Sequence, residues 1–233
     1  MKIRRSKPCD KNWRILFQAT GALALTLFMS GFSLSSPGLT GVAEAADELV
    51  IVAFGDSLTA GYGLRQNKSF PAQLEAALRA KGHKVRVLNA GVSGDTASGG
   101  LARLEWAIPK NADAVLVELG ANDALRAIDP AATKAALDAI LTKLKAKNLG
   151  ILLIGIEAPR GLGAPYTTQF SEIFTALAEK HQVLLYPFFL ENVALKPEFS
   201  LADGLHPNSK GVAVIVESIL PSVEALIERI QKN

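Results

Sequence analysis

Thiols and imidazoles are scarce in this chain. Cys9 is its one cysteine, and His83, His181 and His206 are its only histidines. Cys9 lies in a basic stretch at the start, so disulfides and thiol catalysis are excluded from everything downstream. No cluster of His, Cys and carboxylate residues has the spacing of a metal site, and no cofactor is expected. Internal repeats, low-complexity tracts and, after residue 46, linkers are also missing. One domain with a single substantial core is the expectation for the rest.

A lasting excess of charge is absent too. The net charge of +3 comes from the first 45 residues, where Lys2, Arg4, Arg5, Lys7, Lys11 and Arg14 face only Asp10 and Glu44. Without them the 25 basic residues become 19 and the 22 acidic ones 20, a balance of −1. Nothing in that balance suggests binding to nucleic acid.

The same 45 residues read as a targeting segment. After the basic start, residues 15–34 are apolar apart from Gln18 and small hydroxyls, and Ala43 and Ala45 meet the small-x-small rule of signal peptidase. Cleavage is expected after Ala45, giving a periplasmic or secreted protein of residues 46–233 with no stable membrane insertion. The run is also long enough to span a bilayer as an uncleaved anchor. Ser6, Lys7 and Pro8 after the Arg pair argue against twin-arginine export.

From residue 49 onward, apolar strands alternate with amphipathic helices. Strands are expected at 49–54, 85–90, 114–119, 150–156 and 183–186. Between them, Pro71 and the pair Asp129-Pro130 mark helix starts, and further helical faces run through Leu101, Leu104 and Ile108 and through Phe170, Ile173, Phe174 and Leu177. Residues 158–165, with two prolines and two glycines, read as a loop over the carboxyl edge of the sheet. A last helical stretch starts near Val212, and Pro221 should break or kink it. This order predicts a three-layer α/β/α sandwich on a doubly wound, mainly parallel sheet of about five strands.

All loops that follow strands then share one edge, which brings together residues far apart in sequence. Ser57 follows the first strand in Gly55-Asp56-Ser57-Leu58, Gly94 sits in the turn after the second, and Asn122 follows the third. His206 lies three residues after Asp203, close enough for the carboxylate to fold back on the imidazole and fix its tautomer. Ser57, His206 and Asp203 are the candidate nucleophile, base and orienting acid. The backbone N–H groups of Ser57 and Gly94 and the amide of Asn122 are the candidate oxyanion hole. His83 and His181 stand near helix ends, where imidazoles commonly cap carbonyls. Leu125, Ile128, Pro159, Leu162 and Tyr166 are candidates to line an acyl pocket. Asp56 and Asp123 are read as loop hydrogen-bonding residues.

Four segments in order, Gly55-Asp56-Ser57-Leu58, 91–96 with Gly94, Gly120-Ala121-Asn122-Asp123 and Asp203-Gly204-Leu205-His206-Pro207, resemble the four blocks of the GDSL, or SGNH, hydrolases. The likeness spans essentially all of residues 46–233. It implies a flavodoxin-like fold and a serine esterase of arylesterase, acyl-CoA thioesterase or lysophospholipase type. It also implies a small-molecule acyl ester, thioester or lysophospholipid substrate. The roles it implies are nucleophile for Ser57, oxyanion donors for Gly94 and Asn122, and acid and base for Asp203 and His206, with no GxSxG elbow needed. Ala121 stands where the resemblance leads one to expect a second glycine before Asn122, and with Ala124 and Ala127 flanking Leu125-Arg126 it predicts a stiffer loop after Asn122. A monomer is expected. A carbohydrate O-deacetylase of the same fold and a non-catalytic exported binding protein are the alternatives.

Overall fold

The computed structural model describes residues 48–232, so the expected leader and its cleavage site lie outside the described residues. Five strands, β1 (Leu49–Gly55), β2 (Val85–Gly91), β3 (Ala114–Glu118), β4 (Gly150–Ile154) and β5 (Leu184–Tyr186), form one sheet in the order β2-β1-β3-β4-β5. Every pairing is parallel. Seven helices connect and follow the strands: α1 (Ser57–Ala60), α2 (Phe70–Ala80), α3 (Ala97–Ala107), α4 (Ala121–Leu125), α5 (Pro130–Ala146), α6 (Ala164–His181) and α7 (Ser209–Gln231). Helices α2 and α7 pack together on one face of the sheet, and α3, α5 and α6 on the other. The three-layer α/β/α sandwich expected from the sequence is the observed architecture.

Strand position in the sheet explains strand composition. Central β3 is buried at every residue, which is why Ala-Val-Leu-Val can run without a polar break until Glu118. Edge strand β2 alternates at its start, Val85 and Val87 inward and Arg86 outward, because only one of its faces is fully covered. Helices α5 and α7 begin at side-chain caps. The Asp129 carboxylate accepts from the Ala131 N–H ahead of α5, and the Asn208 side chain accepts from the N–H groups of Lys210 and Gly211 ahead of α7.

Two expectations about proline need correction. Pro165 does not belong to the loop: α6 starts at Ala164, and Pro165 takes its first turn, where a missing N–H costs nothing. Pro221 does not break α7, which runs unbroken from Ser209 to Gln231. The carbonyl that loses its partner belongs to exposed Glu217, so water can serve it. On the opposite side Val212, Ile215, Val216, Ile219, Val223, Leu226 and Ile227 form one buried stripe. Each such side chain, fully buried, contributes about 1.5–3 kcal/mol, and that stripe keeps the helix continuous across the proline.

The strand order reverses direction between β1 and β3, and the loops leaving those two strands diverge to opposite faces. A crevice opens there at the carboxyl edge, the usual place for a site in an open α/β sheet. Ser57 leaves β1 at that point and Asn122 leaves β3.

Candidate active site

Asp56 and Ser57 turn the chain straight from β1 into α1. The Asp56 carboxylate caps that one-turn helix by accepting from the Leu58 N–H at 2.9 Å. Ser57, the first helical residue, is 9% exposed, and an N–H at that position has no acceptor within its own helix. The Ser57 carbonyl accepts from the N–H groups of Gly61 and Tyr62, which sets Tyr62 beside the serine. The tyrosine ring lies 4.5 Å from the His206 imidazole, centroid to centroid.

His206 reaches Ser57 from 149 residues away through a tightly tied segment. An isolated antiparallel bridge joins Ser200 to Pro207, and the Leu201 N–H donates to the His206 carbonyl at 2.8 Å. Inside that turn the Asp203 carboxylate accepts from the N–H groups of Leu205 and His206 at 2.9 and 3.0 Å. Its other oxygen stands 2.7 Å from His206 Nδ1, and His206 Nε2 stands 2.9 Å from Ser57 Oγ. The backbone N–H of His206, then its imidazole and then the Leu205 N–H hold the Asp203 carboxyl down to about 2, from an ordinary value of 3.8. An ionised Asp203 fixes the proton on Nδ1 and leaves Nε2 as the acceptor facing the serine hydroxyl.

Gly94 and Asn122 arrive from either side of Ser57. Gly55 pairs with Gly91 on β2, and the loop continues to Gly94, whose φ of +87° favours a residue without a side chain. The Asn122 amide donates to Asp56 Oδ2 at 3.0 Å, and Arg126 ties the two loops together by donating to the Gly94 carbonyl at 2.9 Å. The Asp123 carboxylate accepts from the Ala97 N–H and from the Thr133 hydroxyl, so it anchors α4 to α3 and α5, in keeping with its reading as a loop residue.

Among the residues expected to line an acyl pocket, Leu125 is 52% exposed, Pro159 is exposed, and Ile128 and Leu162 are half-buried. The Tyr166 hydroxyl donates to the Ile128 carbonyl at 2.7 Å and the ring stacks on Phe170, so this side chain braces the loop after α4. His83 and His181 do not cap carbonyls with their rings. His83 Nε2 meets Glu224 at 3.1 Å and His181 Nε2 meets Asp138 at 2.6 Å. Carboxylates from distant helices offered each imidazole a charged partner.

Sequence reasoning missed Arg103, Tyr62 and Glu118. Arg103 is buried on α3. It pairs with Asp95, donates to the carbonyls of Ala90 and Gly55 at 2.9 Å each, and lies over the Phe54 ring. It thus ties the ends of β1 and β2 to the Gly94 loop. A charged residue in an amphipathic helix gave no sign of this, whereas a glutamate ending an apolar strand, as Glu118 does, was a usable signal. Among the described residues no group of three His, Cys, Asp or Glu side chains is placed to hold a metal, and no helix is long and apolar enough to cross a membrane.

A serine bonded to an imidazole that is itself bonded to a carboxylate, at the carboxyl edge of a parallel sheet, is the equipment of a hydrolase acting on acyl groups. The model of the GDSL-like Lipase/Acylhydrolase family matches residues 53–214, and the chain belongs to that family. It is 39% identical to an arylesterase of Vibrio mimicus over 78% of this chain and 90% of the relative. It is 40% identical to the thioesterase 1/protease 1/lysophospholipase L1 of Escherichia coli K12, over 81% of this chain and 89% of that one. Among solved structures, the psychrotrophic esterase EstA of Pseudoalteromonas sp., inhibited by monoethylphosphonate, superposes with a TM-score of 0.73 at 32% identity, covering 78% of this chain and all of that one. The protein is an ester-bond hydrolase.

Proposed function

We propose that Ser57 is the nucleophile of a serine esterase that cleaves acyl esters and thioesters through an acyl-enzyme, with His206 as base and Asp203 as its orienting acid. The continuous path from Ser57 Oγ to His206 Nε2 at 2.9 Å, and from Nδ1 to Asp203 at 2.7 Å, carries this reading. His206 takes the hydroxyl proton as Ser57 attacks the acyl carbon, and Asp203 stabilises the imidazolium that forms. The N–H groups of Ser57 and Gly94 and the amide of Asn122 receive the oxyanion. His206 then protonates the leaving alcohol or thiol. Water, deprotonated by His206, attacks the acyl-enzyme and frees serine and acid.

The exposed apolar side chains of Tyr62, Val92, Leu125 and Leu205 offer surface for the acyl chain, which is read as short to medium in length. The names of the relatives, arylesterase and thioesterase/lysophospholipase, support the same range. The substrate-bearing chain is read as the exported product of cleavage after Ala45, a monomer that needs no cofactor. Hydrolysis of p-nitrophenyl esters from acetyl to palmitoyl tests the reading. Turnover should extend beyond acetyl and fall at least about 10⁴-fold in Ser57→Ala. Full activity in that variant would overturn the nucleophile, and acetyl-only activity would point to a carbohydrate O-deacetylase instead.

A further inference from the structure

Two carboxyl groups lie directly behind the serine, sealed from solvent. Asp56 and Glu118 are both 0% exposed, where Gly55 of β1 pairs with Glu118 of β3. Gly55 makes the space: a Cβ there would stand 2.2 Å from the Thr59 hydroxyl and 2.6 Å from Glu118 Oε2. Glu118 Oε2 accepts from the Thr59 hydroxyl at 2.7 Å and the Asp56 N–H at 3.3 Å, while Oε1 has no hydrogen-bond partner among the described residues. Asp56 divides its oxygens between the Leu58 N–H and the Asn122 amide.

The bond to Asn122 has a chemical direction. An ionised carboxylate can only accept, so it requires the nitrogen of the Asn122 amide to face it. That nitrogen carries a second N–H, which stays free for the substrate. With a proton on Asp56 Oδ2 the facing group would donate, Asn122 would turn its carbonyl toward it, and an acceptor would replace the oxyanion donor. Resting on Ser57 as nucleophile and Asn122 as oxyanion donor, we propose that Asp56 is a positioning residue. As a carboxylate it locks the Asn122 amide in the orientation the oxyanion needs, and Glu118 is the neutral neighbour that allows Asp56 to ionise.

The surrounding groups support this division. Burial pushes the Asp56 carboxyl up to about 6 against the pull of the Leu58 N–H, the Asn122 amide and the His206 charge, with the Asp123 charge on α4 adding to the rise. Burial, then the Asp56 charge, pushes Glu118 well above the usual carboxylate range, with Thr59 of α1 opposing. Two adjacent buried carboxyls do not both ionise readily, and the one with the unpartnered oxygen keeps the proton. Arg103, the cation on α3, gives its nearby N–H to the Gly55 carbonyl. Protonation of Asp56 therefore contributes to the acid limb of turnover, because Asp56 must be a carboxylate for the Asn122 amide to face the oxyanion.

A double-mutant cycle on p-nitrophenyl butyrate tests this, using Asp56→Asn, Asn122→Ala and the pair. Asparagine caps α1 as well as aspartate does, so Asp56→Asn removes the obligatory acceptor and keeps the turn. Each single variant should lower kcat, by about 10- to 100-fold for Asp56→Asn, with KM within about threefold. Because Asp56 acts through Asn122, the double variant should fall no more than about threefold below Asn122→Ala. The acid limb of kcat should be steeper in the wild type than in Asn122→Ala, where the charge on Asp56 no longer sets an amide. Losses that multiply in the double variant, or wild-type kcat in Asp56→Asn, would overturn the role of Asp56. If Asp56→Asn fails to fold, the two acid limbs decide, and equal slopes overturn it. Turnover surviving in Ser57→Ala would overturn the nucleophile itself, a separate outcome.

Discussion

Asp203 with His206 and Asp138 with His181 are the same two functional groups at nearly the same distance, 2.7 and 2.6 Å. Their surroundings set them apart. Asp203 is held by two backbone N–H groups of its own turn, and the imidazole it orients has its second nitrogen on the Ser57 hydroxyl. Asp138 is held by Lys180 first and His181 second, which lowers its pKa, and the group ties the middle of α5 to the last turn of α6. His83 with Glu224 and Lys81 repeats the second pattern between α2 and α7. A carboxylate and an imidazole make a helix clamp by default. They make a proton relay only when rigid backbone aims the acid and a hydroxyl waits at the far nitrogen.

Exchanging the two carboxylates separates the patterns. Asp203→Asn should lower kcat by about 10² to 10⁴-fold through the wrong imidazole tautomer, with little change in melting temperature. A loss below about fivefold would make the two pairs equivalent. The depressed Asp203 also fixes a pH window. The stability it contributes is present above 3.8 and is lost as pH falls through about 2, so loss of activity near neutrality on the acid side belongs to other groups.

Glu118 behaves in the opposite sense. Its pKa is raised by folding, so its contribution to stability is present below 4.5 and is lost as pH rises toward the folded value. Urea midpoints at pH 5 and pH 8 should show Glu118→Gln gaining on the wild type as pH rises, and a pH-independent difference would contradict an ionisable buried Glu118. The smallest effect belongs to the clamp. Asp138→Asn should leave kcat unchanged and cost under about 1 kcal/mol in urea unfolding, as expected for a partly exposed ion pair.

The strands are legible in the sequence because apolar runs end at glycine or at loop residues, and Asp129-Pro130 states its helix start outright. Asp203 and His206 are legible for a similar reason, being three residues apart in one turn. Pro165 and Pro221 mislead because proline's effect depends on whether its missing N–H had a partner to lose. The partners of His83 and His181 stand 141 and 43 residues away, and the Asp56–Asn122 bond spans 66. Only the folded sheet brings such groups into contact. Reading Asp56 as a loop residue identifies its bond to Leu58 and misses the one to Asn122.

Mass spectrometry of the protein after reaction with a fluorophosphonate tests the nucleophile most directly. The peptide containing Ser57 should carry one phosphonyl adduct, formed in step with loss of esterase activity and absent from His206→Ala. Inactivation with the adduct on another residue, or esterase turnover with Ser57 left unmodified, would contradict it.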